Sequence, residues 1–186
     1  MFETEKKKYM DALYKPDKSK KGNVDEEISY LIDHINSLED YYTTSSCAGR
    51  IVLIELPDDG KKNDANWLFT SHALVDNIDL KSIEFDDKPV WFKQESFILH
   101  VCAKTFEKAN ELLIKAHEVG FKRAGLIATS KRFIVEITGT EGITAPLHDG
   151  KKILVDQEYL DYLVFQGNNK LQAARDRVKK LYEKLK

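Results

Sequence analysis

The sequence lacks the features that mark several large classes of protein. It has only two cysteines, Cys47 and Cys102, and no C-x-x-C pair, which argues against a structural zinc site. No apolar run approaches the roughly 18 residues that a membrane helix requires. No apolar stretch follows the N-terminal lysines, as it would in a secretory signal. We therefore predict a cytoplasmic protein with two free thiols, no metal and no membrane partner.

A glycine-rich phosphate-binding loop is also missing. The closest segment, Gly139-Thr140-Glu141-Gly142, has the wrong spacing for the G-x-G-x-x-G pattern of dinucleotide-binding folds. This absence argues against a doubly wound, Rossmann-type sheet.

Charge is distributed unevenly although the net charge is only −2. Residues 1–22 carry seven lysines and four acids, and residues 168–186 carry seven basic residues and two acids. The residues between these ends are therefore strongly acidic. Basic ends of this kind either hold a phosphate backbone or form solvated helix faces.

The hydrophobic pattern predicts an α+β fold within one domain, residues 1–186. We expect a mixed, mainly antiparallel sheet with helices on one side, since adjacent strands have few helical crossovers. Asn23 is the expected cap of the second helix, Ala48-Gly49 a tight hairpin turn, and Gly167 a helix stop. The predicted helices cover about residues 2–14, 24–39, 106–119, 157–166 and 169–186, with charged or polar loops at KPDKSKKGN and PDDGKKNDAN.

One interpretation of this order of helices and strands is an internal repeat. Helix, strand, turn and strand occur at residues 24–56 and again at 106–138, and aligning Arg50 with Arg132 superposes them. The pattern is equally typical of α+β domains without any duplication.

Several polar stretches end or interrupt apolar strands, which is where functional sites are commonly built. They occur in a fixed order along the chain: TTSSCAGRI, WLFTSH, FKQESFILHV, AHEVGFKRAGL and VEITGTEGITAPL. Together they resemble the tRNA wybutosine-synthesising protein 3 family over residues 2–182. The specific matches are SSCAGRI at 45–51, the spacing from Trp67 to Ser71-His72, ILHV at 98–101, the glycines of GFKRAG at 120–125, and PL at 146–147.

The resemblance implies an enzyme of the compact, stand-alone archaeal type. Members of this family are S-adenosylmethionine-dependent methyltransferases, so S-adenosylmethionine is the expected cofactor and no metal is expected. The expected substrate is the tRNA-phenylalanine anticodon stem-loop, in which ring nitrogen N4 of a tricyclic wyosine precursor is methylated. The alternative is a non-catalytic RNA-binding module for structured tRNA.

Methylation of a ring N–H requires that its proton be lost, and histidine is the side chain best suited to accept it. His72 ends the WLFTSH strand beside Ser71, so we predict His72 as catalytic and Ser71 as a binding residue. His100 lies in mid-strand on the face of Ile98 and Cys102. It is either a satisfied core histidine or a binding residue.

Other candidate site residues can bind ligand or stabilise a turn. Ser46 is predicted as catalytic and Ser45 as a binding residue, although both hydroxyls would also suit the backbone of a turn. Arg50 can clamp a carboxylate or phosphate, or form a salt bridge within the sheet. Trp67 can stack on a flat base, or lie in the core.

Basic side chains and one amide complete the predicted site. Lys93, Lys122 and Arg123 are expected to contact the RNA backbone, where basic groups position the nucleic acid. Asn168 is predicted to bind substrate or cofactor, because backbone amides at the start of a helix can receive an anion.

Overall fold

The computed structural model describes residues 1–13, 15, 24–56 and 65–186. Residues 16–23 of the linker predicted at 15–23 and residues 57–64 of the loop predicted at 57–66 lie outside these ranges. So does Asn23, the predicted cap of the second helix. The helices are α1 (Phe2–Ala12), α2 (Ser29–Ser37), α3 (Phe106–Glu118) and α4 (Gln157–Leu185). The strands are β1 (Tyr41–Cys47), β2 (Arg50–Glu55), β3 (Asn66–Ser71), β4 (Pro89–Glu95), β5 (Ile98–Ala103), β6 (Gly125–Ala128), β7 (Phe133–Thr138) and β8 (Ile143–Asp149).

The described residues form two compact units. The first contains Met1–Ala48, Phe97–Thr140 and Ala174–Lys186, and the second contains Gly49–Ser96 and Glu141–Ala173. Each unit has one antiparallel sheet of four strands. The prediction of an α+β fold with antiparallel strands is confirmed, with two sheets where the sequence indicated one.

The first unit has strand order β1-β5-β7-β6. Alternate residues of β5, such as Leu99 and Val101, are fully buried against α2, α3 and the end of α4, because side chains alternate between the faces of a strand. Helix α1 packs on the opposite face, where the rings of Phe2 and Tyr9 lie 5.1 and 5.2 Å from that of Tyr42.

The second unit has strand order β3-β2-β4-β8. Its core joins one face of the sheet to the first half of α4. The fully buried residues of this core include Ile51, Phe92, Leu147, Leu160 and Leu171. A near-continuous apolar strand such as β2 is expected at an interior position of a sheet, and β2 occupies one.

Local signals placed α3 and the following hairpin correctly. Thr105 caps α3 by accepting a hydrogen bond from the Lys108 N–H. Gly120 follows the helix with a φ of 104°, and the Phe121 N–H donates back to the Ala116 carbonyl, as in a Schellman motif. Strands β6 and β7 then pair as predicted.

The hairpin predicted at Ala48-Gly49 is wrong. Strands β1 and β2 belong to different sheets, and Gly49, with a φ of 87°, stands where the chain leaves the first sheet for the second. The proposed internal repeat fails for the same reason, because its second copy does contain a paired hairpin, β6 and β7.

The helix break predicted at Gly167 is also wrong, because α4 runs without interruption from Gln157 to Leu185. Gly167 is buried, and a Cβ added there would lie 2.9 Å from Cδ1 of Ile51 and 3.4 Å from Cζ of Phe92. The glycine therefore allows close approach of helix and sheet and does not end the helix.

Strands β4 and β8 were not predicted. Strand β8 contains Pro146, which usually argues against a strand because proline has no N–H for the ladder. Here β8 lies at the edge of its sheet, where a proline is tolerated, and Pro146 is exposed.

Candidate active-site residues

A row of three polar side chains crosses the sheet of the first unit. Ser45, His100 and Glu136 are direct neighbours on β1, β5 and β7. The Ser45 hydroxyl lies 2.9 Å from Nδ1 of His100, and Nε2 of His100 lies 2.8 Å from Oε2 of Glu136. Ser45 is exposed, and the side chains of His100 and Glu136 are 26% and 31% exposed. His100 is therefore a partly exposed member of a hydrogen-bonded row and not a core histidine.

The row fixes the proton positions of a neutral His100. A carboxylate can only accept hydrogen bonds, so Nε2 carries the hydrogen that faces Glu136. Nδ1 is then an acceptor, and the Ser45 hydroxyl donates to it. Ser–His–carboxylate arrangements of this kind occur in enzymes in which the carboxylate orients the imidazole.

Ser46 does not share this environment. It is paired with Leu99, whereas Ser45 is paired with His100, so the two serines point to opposite faces of β1. Of the predicted residues, the first unit thus brings Ser45 and His100 into contact and separates Ser45 from Ser46. The catalytic role of Ser46 stays a prediction.

Arg50 and Trp67 come together in the second unit. Nε of Arg50 lies 2.6 Å from Oε2 of Glu95 on the paired strand β4. The Arg50 guanidinium lies over the Trp67 ring, with its central carbon 4.6 Å from the ring centroid. Trp67 is 46% exposed and therefore is not a core residue. The salt bridge and the stack together orient the guanidinium.

His72 follows β3 directly and is also held by hydrogen bonding. Its Nδ1 lies 3.1 Å from the Gly49 carbonyl oxygen, which can only accept, so Nδ1 carries a hydrogen. In the neutral ring, Nε2 is then the basic nitrogen. Ser71, the last residue of β3, donates to the Ala73 carbonyl and stabilises the turn that follows.

Asn168 lies inside α4, so the helix start on which its predicted anion-binding role depended is absent. Its side-chain amide accepts from the Val75 N–H at 3.0 Å and donates to the Val75 carbonyl at 2.7 Å. This pair of bonds ties the segment after β3 to the helix. Asn168 also borders an open cavity of about 800 Å³, which is lined by Asp76, Asn77, Asp79, Lys81, Gln157, Asp161, Val164 and Phe165.

The three residues predicted to contact RNA backbone are distributed over both units. Lys93 is half-buried on β4 of the second unit. Lys122 and Arg123 are exposed in the turn between α3 and β6 of the first unit, and Nζ of Lys122 donates to the His117 carbonyl. Their contact with RNA stays a prediction.

Neither Cys47 nor Cys102 forms a disulfide, as predicted. Burial raises the pKa of the Cys102 thiol, which disfavours the reactive thiolate form. Cys47, the last residue of β1, is half-buried. In the part of the chain that the structure describes, no helix is long and apolar enough to cross a membrane.

Glu136 and Glu95 are the polar partners that sequence reasoning missed. The residues directly before and after each glutamate are apolar or uncharged. Because burying a charge without a partner is costly, a single carboxylate at such a position indicates that it faces a polar partner. Which partner it faces depends on strand order. The pairing of β5 with β7 and of β2 with β4 cannot be derived from local patterns.

The structure defines an α+β protein with two antiparallel sheets, outside the doubly wound class, in which hydrogen bonds and a salt bridge orient histidine, serine and arginine side chains. The family model described as Methyltransferase TYW3 matches residues 4–186. The chain belongs to the TYW3 methyltransferase family. The family predicted from the motifs is thereby confirmed, and so is the prediction that the protein is an enzyme that uses a methyl donor.

Individual relatives cover nearly the whole chain. A protein of Thermococcus sibiricus, 38% identical over 99% of this chain and 94% of its own, is named tRNA(Phe) 7-((3-amino-3-carboxypropyl)-4-demethylwyosine(37)-N(4))-methyltransferase. A Danio rerio relative, 36% identical over 92% of this chain and 70% of its own, is named tRNA wybutosine-synthesizing protein 3 homolog. The solved structure of the PH1069 protein from Pyrococcus horikoshii is 37% identical, with a TM-score of 0.90 over 100% of this chain and 96% of that one.

Proposed function

We propose that the protein methylates ring nitrogen N4 of the demethylwyosine-type base in tRNA(Phe). The observation that carries this proposal is the family match over residues 4–186, together with relatives named for the same reaction. The alternative, a non-catalytic RNA-binding module, has no support among those relatives.

A direct test incubates the protein with the methyl donor and tRNA(Phe) that carries the unmethylated precursor. We expect one added methyl group on that base, detected by mass spectrometry of nuclease digests. An isolated anticodon stem-loop with the same base tests whether recognition is confined to that part of the tRNA. Tight tRNA binding without any transfer would instead favour the binding module.

S-adenosylmethionine is the proposed methyl donor, and when bound it supplies an electrophilic methyl group on a sulfonium. The chemistry of the available side chains fits such a ligand. The oriented guanidinium of Arg50 suits the carboxylate of this ligand. Because Glu95 balances the charge of Arg50, the guanidinium contributes directed hydrogen bonds more than net positive charge.

His72 is the proposed proton acceptor. In this proposal the Gly49 carbonyl holds the Nδ1–H of His72, and Nε2 accepts the proton of the substrate N–H. A cytoplasmic location stays a prediction.

Trp67 is proposed to stack on the substrate base. We expect Trp67→Ala to weaken binding of the precursor tRNA roughly tenfold, since base–aromatic stacking contributes about 1–3 kcal/mol. Trp67→Phe, which keeps an aromatic face, is expected to retain most of the affinity. Equal affinities of both variants and the wild type in a filter-binding titration would contradict the stacking role.

The basic end of α4 is proposed to contact the phosphate backbone. Lys179 and Lys180 are exposed, and replacing both with glutamine is expected to make the salt dependence of tRNA binding shallower by roughly 1–2 in log–log slope. Deleting the end of α4 is a poorer test, because Val178 and Leu181 are buried in the core.

Lys151 and Lys152 provide a matched control for this measurement. They are also adjacent and exposed, but they lie in the turn after β8. Replacing both with glutamine is expected to leave the salt slope nearly unchanged. If the two double variants alter the slope equally, only net charge matters and the backbone-contact role of α4 is wrong.

A further inference from the structure

We propose that Lys131 and Arg132 bind a backbone phosphate of the substrate tRNA. These two residues, the cation pair, lie in the turn between β6 and β7, and the whole of the site described below belongs to the first unit. The inference rests on the proposed function, because it takes tRNA as the ligand that supplies the phosphate.

The Arg132 guanidinium is held by a neutral partner and therefore keeps its charge. Its Nη1 donates to the Tyr9 hydroxyl of α1 at 3.3 Å. In the part of the chain that the structure describes, neither residue of the cation pair forms a salt bridge. Arg50 differs in this respect, because Glu95 balances its charge. The other N–H groups of Arg132 form a planar fork, which suits two oxygens of one phosphate.

The acidic residues near the cation pair already have other partners. The Glu5 carboxylate of α1 accepts a hydrogen bond from the Tyr42 hydroxyl at 3.1 Å. Lys104, a third basic residue at this place, lies 3.2 Å from Glu3 and 2.9 Å from Glu39. The charge of Lys104 is thus balanced within the protein, whereas that of the cation pair is left for a ligand.

The cation pair borders a cavity of about 190 Å³ between α1 and the sheet. Phe2, Cys102 and Phe133 supply its apolar wall. Pockets that hold whole small molecules usually measure about 300–1,000 Å³. The cavity is therefore suited to a single group such as a phosphate with part of its sugar, and not to a complete nucleoside.

The surroundings favour a phosphodiester over a free phosphate ion. A phosphodiester carries a single negative charge and has sugar carbons on both sides, whereas phosphate monoesters and inorganic phosphate carry about −1.5 to −2 at neutral pH. Glu5, which also lines the cavity, repels additional negative charge. Phe2 and Phe133 contact carbon more favourably than they contact anionic oxygen. The RNA backbone is therefore the ligand that fits best.

The test measures the affinity for precursor tRNA at several salt concentrations, without a methyl donor. We expect the double variant Lys131→Gln/Arg132→Gln to make the log–log salt dependence shallower by roughly 1, the effect of one lost phosphate contact. Lys7→Gln/Lys8→Gln is the matched control, because it removes two adjacent exposed charges from α1 of the same unit. The control should leave the slope nearly unchanged. Equal slopes for the two double variants would overturn the site.

Two single substitutions separate directed hydrogen bonding from charge. Arg132→Lys keeps the charge and loses the planar fork, whereas Tyr9→Phe keeps the ring and removes the hydroxyl that holds the guanidinium. We expect each to weaken tRNA binding about threefold, as loss of one hydrogen bond typically does, with the wild-type salt slope retained. Wild-type affinity in both variants would show that charge alone matters and would overturn the directed contact.

Ethylation interference identifies the phosphate that is bound. Precursor tRNA is ethylated at random phosphates, and the fraction that still binds the protein is separated and mapped. We expect the wild type to reject tRNA that is ethylated at one phosphate which Lys131→Gln/Arg132→Gln tolerates. Identical interference patterns for the two proteins would overturn the assignment. Saturable binding of inorganic phosphate to the cation pair without any effect of the double variant on tRNA binding would also overturn it.

The two proposals fail in different ways, because these binding measurements require no methyl transfer. If the wild type transfers no methyl group to the precursor base but the double variant changes the slope and the interference pattern, the proposed function is wrong and the phosphate contact stands. If transfer occurs and neither the slope nor the pattern changes, the function stands and the phosphate site is wrong.

Discussion

Replacing His72 with alanine is expected to reduce the single-turnover rate of methyl transfer at least a hundredfold, with tRNA affinity changed less than threefold. A positioned general base typically contributes 10²–10⁴ in rate. The Gly49 carbonyl already orients the His72 ring, so the substitution would remove the proposed proton acceptor from a position that is fixed by a hydrogen bond. The rate is measured with enzyme in excess over precursor tRNA, and affinity is measured separately by titration.

His117→Ala is the matched control for this experiment. The His117 ring is also held by a main-chain carbonyl, with Nε2 2.9 Å from the oxygen of Ala124, but it lies in α3 outside the proposed site. The His117→Ala substitution should leave the transfer rate within about twofold of wild type. If His72→Ala reduces affinity and rate by the same factor, His72 binds the tRNA and does not accept the proton.

Much of the secondary structure could be predicted because its signals are local. The cap at Thr105 and the left-handed glycine at Gly120 define the ends of α3 without reference to the rest of the chain. The same kind of local signal gave a wrong hairpin at Ala48-Gly49. The sequence of a short turn between two strands is the same whether the strands pair with each other or belong to different sheets. Sheet membership is decided by long-range pairing.

The candidate site was predicted as a set of residues but not as an arrangement. Ser45 and His100 were both identified, yet their contact depends on the pairing of β1 with β5, and the residue that orients His100 is Glu136 on a third strand. Arg50 and Trp67 were likewise identified one by one. Local sequence shows that a residue suits a ligand, whereas the sheet order decides which groups orient it.

Gly167 was correctly identified as an unusual position in a helical pattern but was wrongly predicted to end the helix. Glycine in a helical pattern usually either ends the helix or costs about 1 kcal/mol relative to alanine. In α4 the helix continues through it, because the surrounding residues pack in the core and the space for a side chain is already filled by Ile51. Packing outweighs backbone preference at this position.

Gly167→Val is therefore expected to lower the free energy of unfolding by about 2–4 kcal/mol, since overpacking a dense core typically costs 1–3 kcal/mol and valine adds three carbons at a contact of 2.9 Å. Asn169→Val places the same side chain on an exposed position of the same helix. It should change stability by less than about 0.5 kcal/mol, because asparagine and valine have similar helix propensities. Both are measured by denaturant unfolding.

A double-mutant cycle then identifies the atom responsible. Ile51→Val deletes Cδ1, the atom nearest to the missing Cβ of Gly167, and alone should cost about 0.5–1.5 kcal/mol. In the Gly167→Ala background, Ile51→Val should lower the free energy of unfolding clearly less than it does in the wild type, because the alanine methyl occupies the vacated space. The coupling energy should be at least about 0.5 kcal/mol. Simple additivity of the two substitutions would show that Gly167 is required for a reason other than close contact with Ile51.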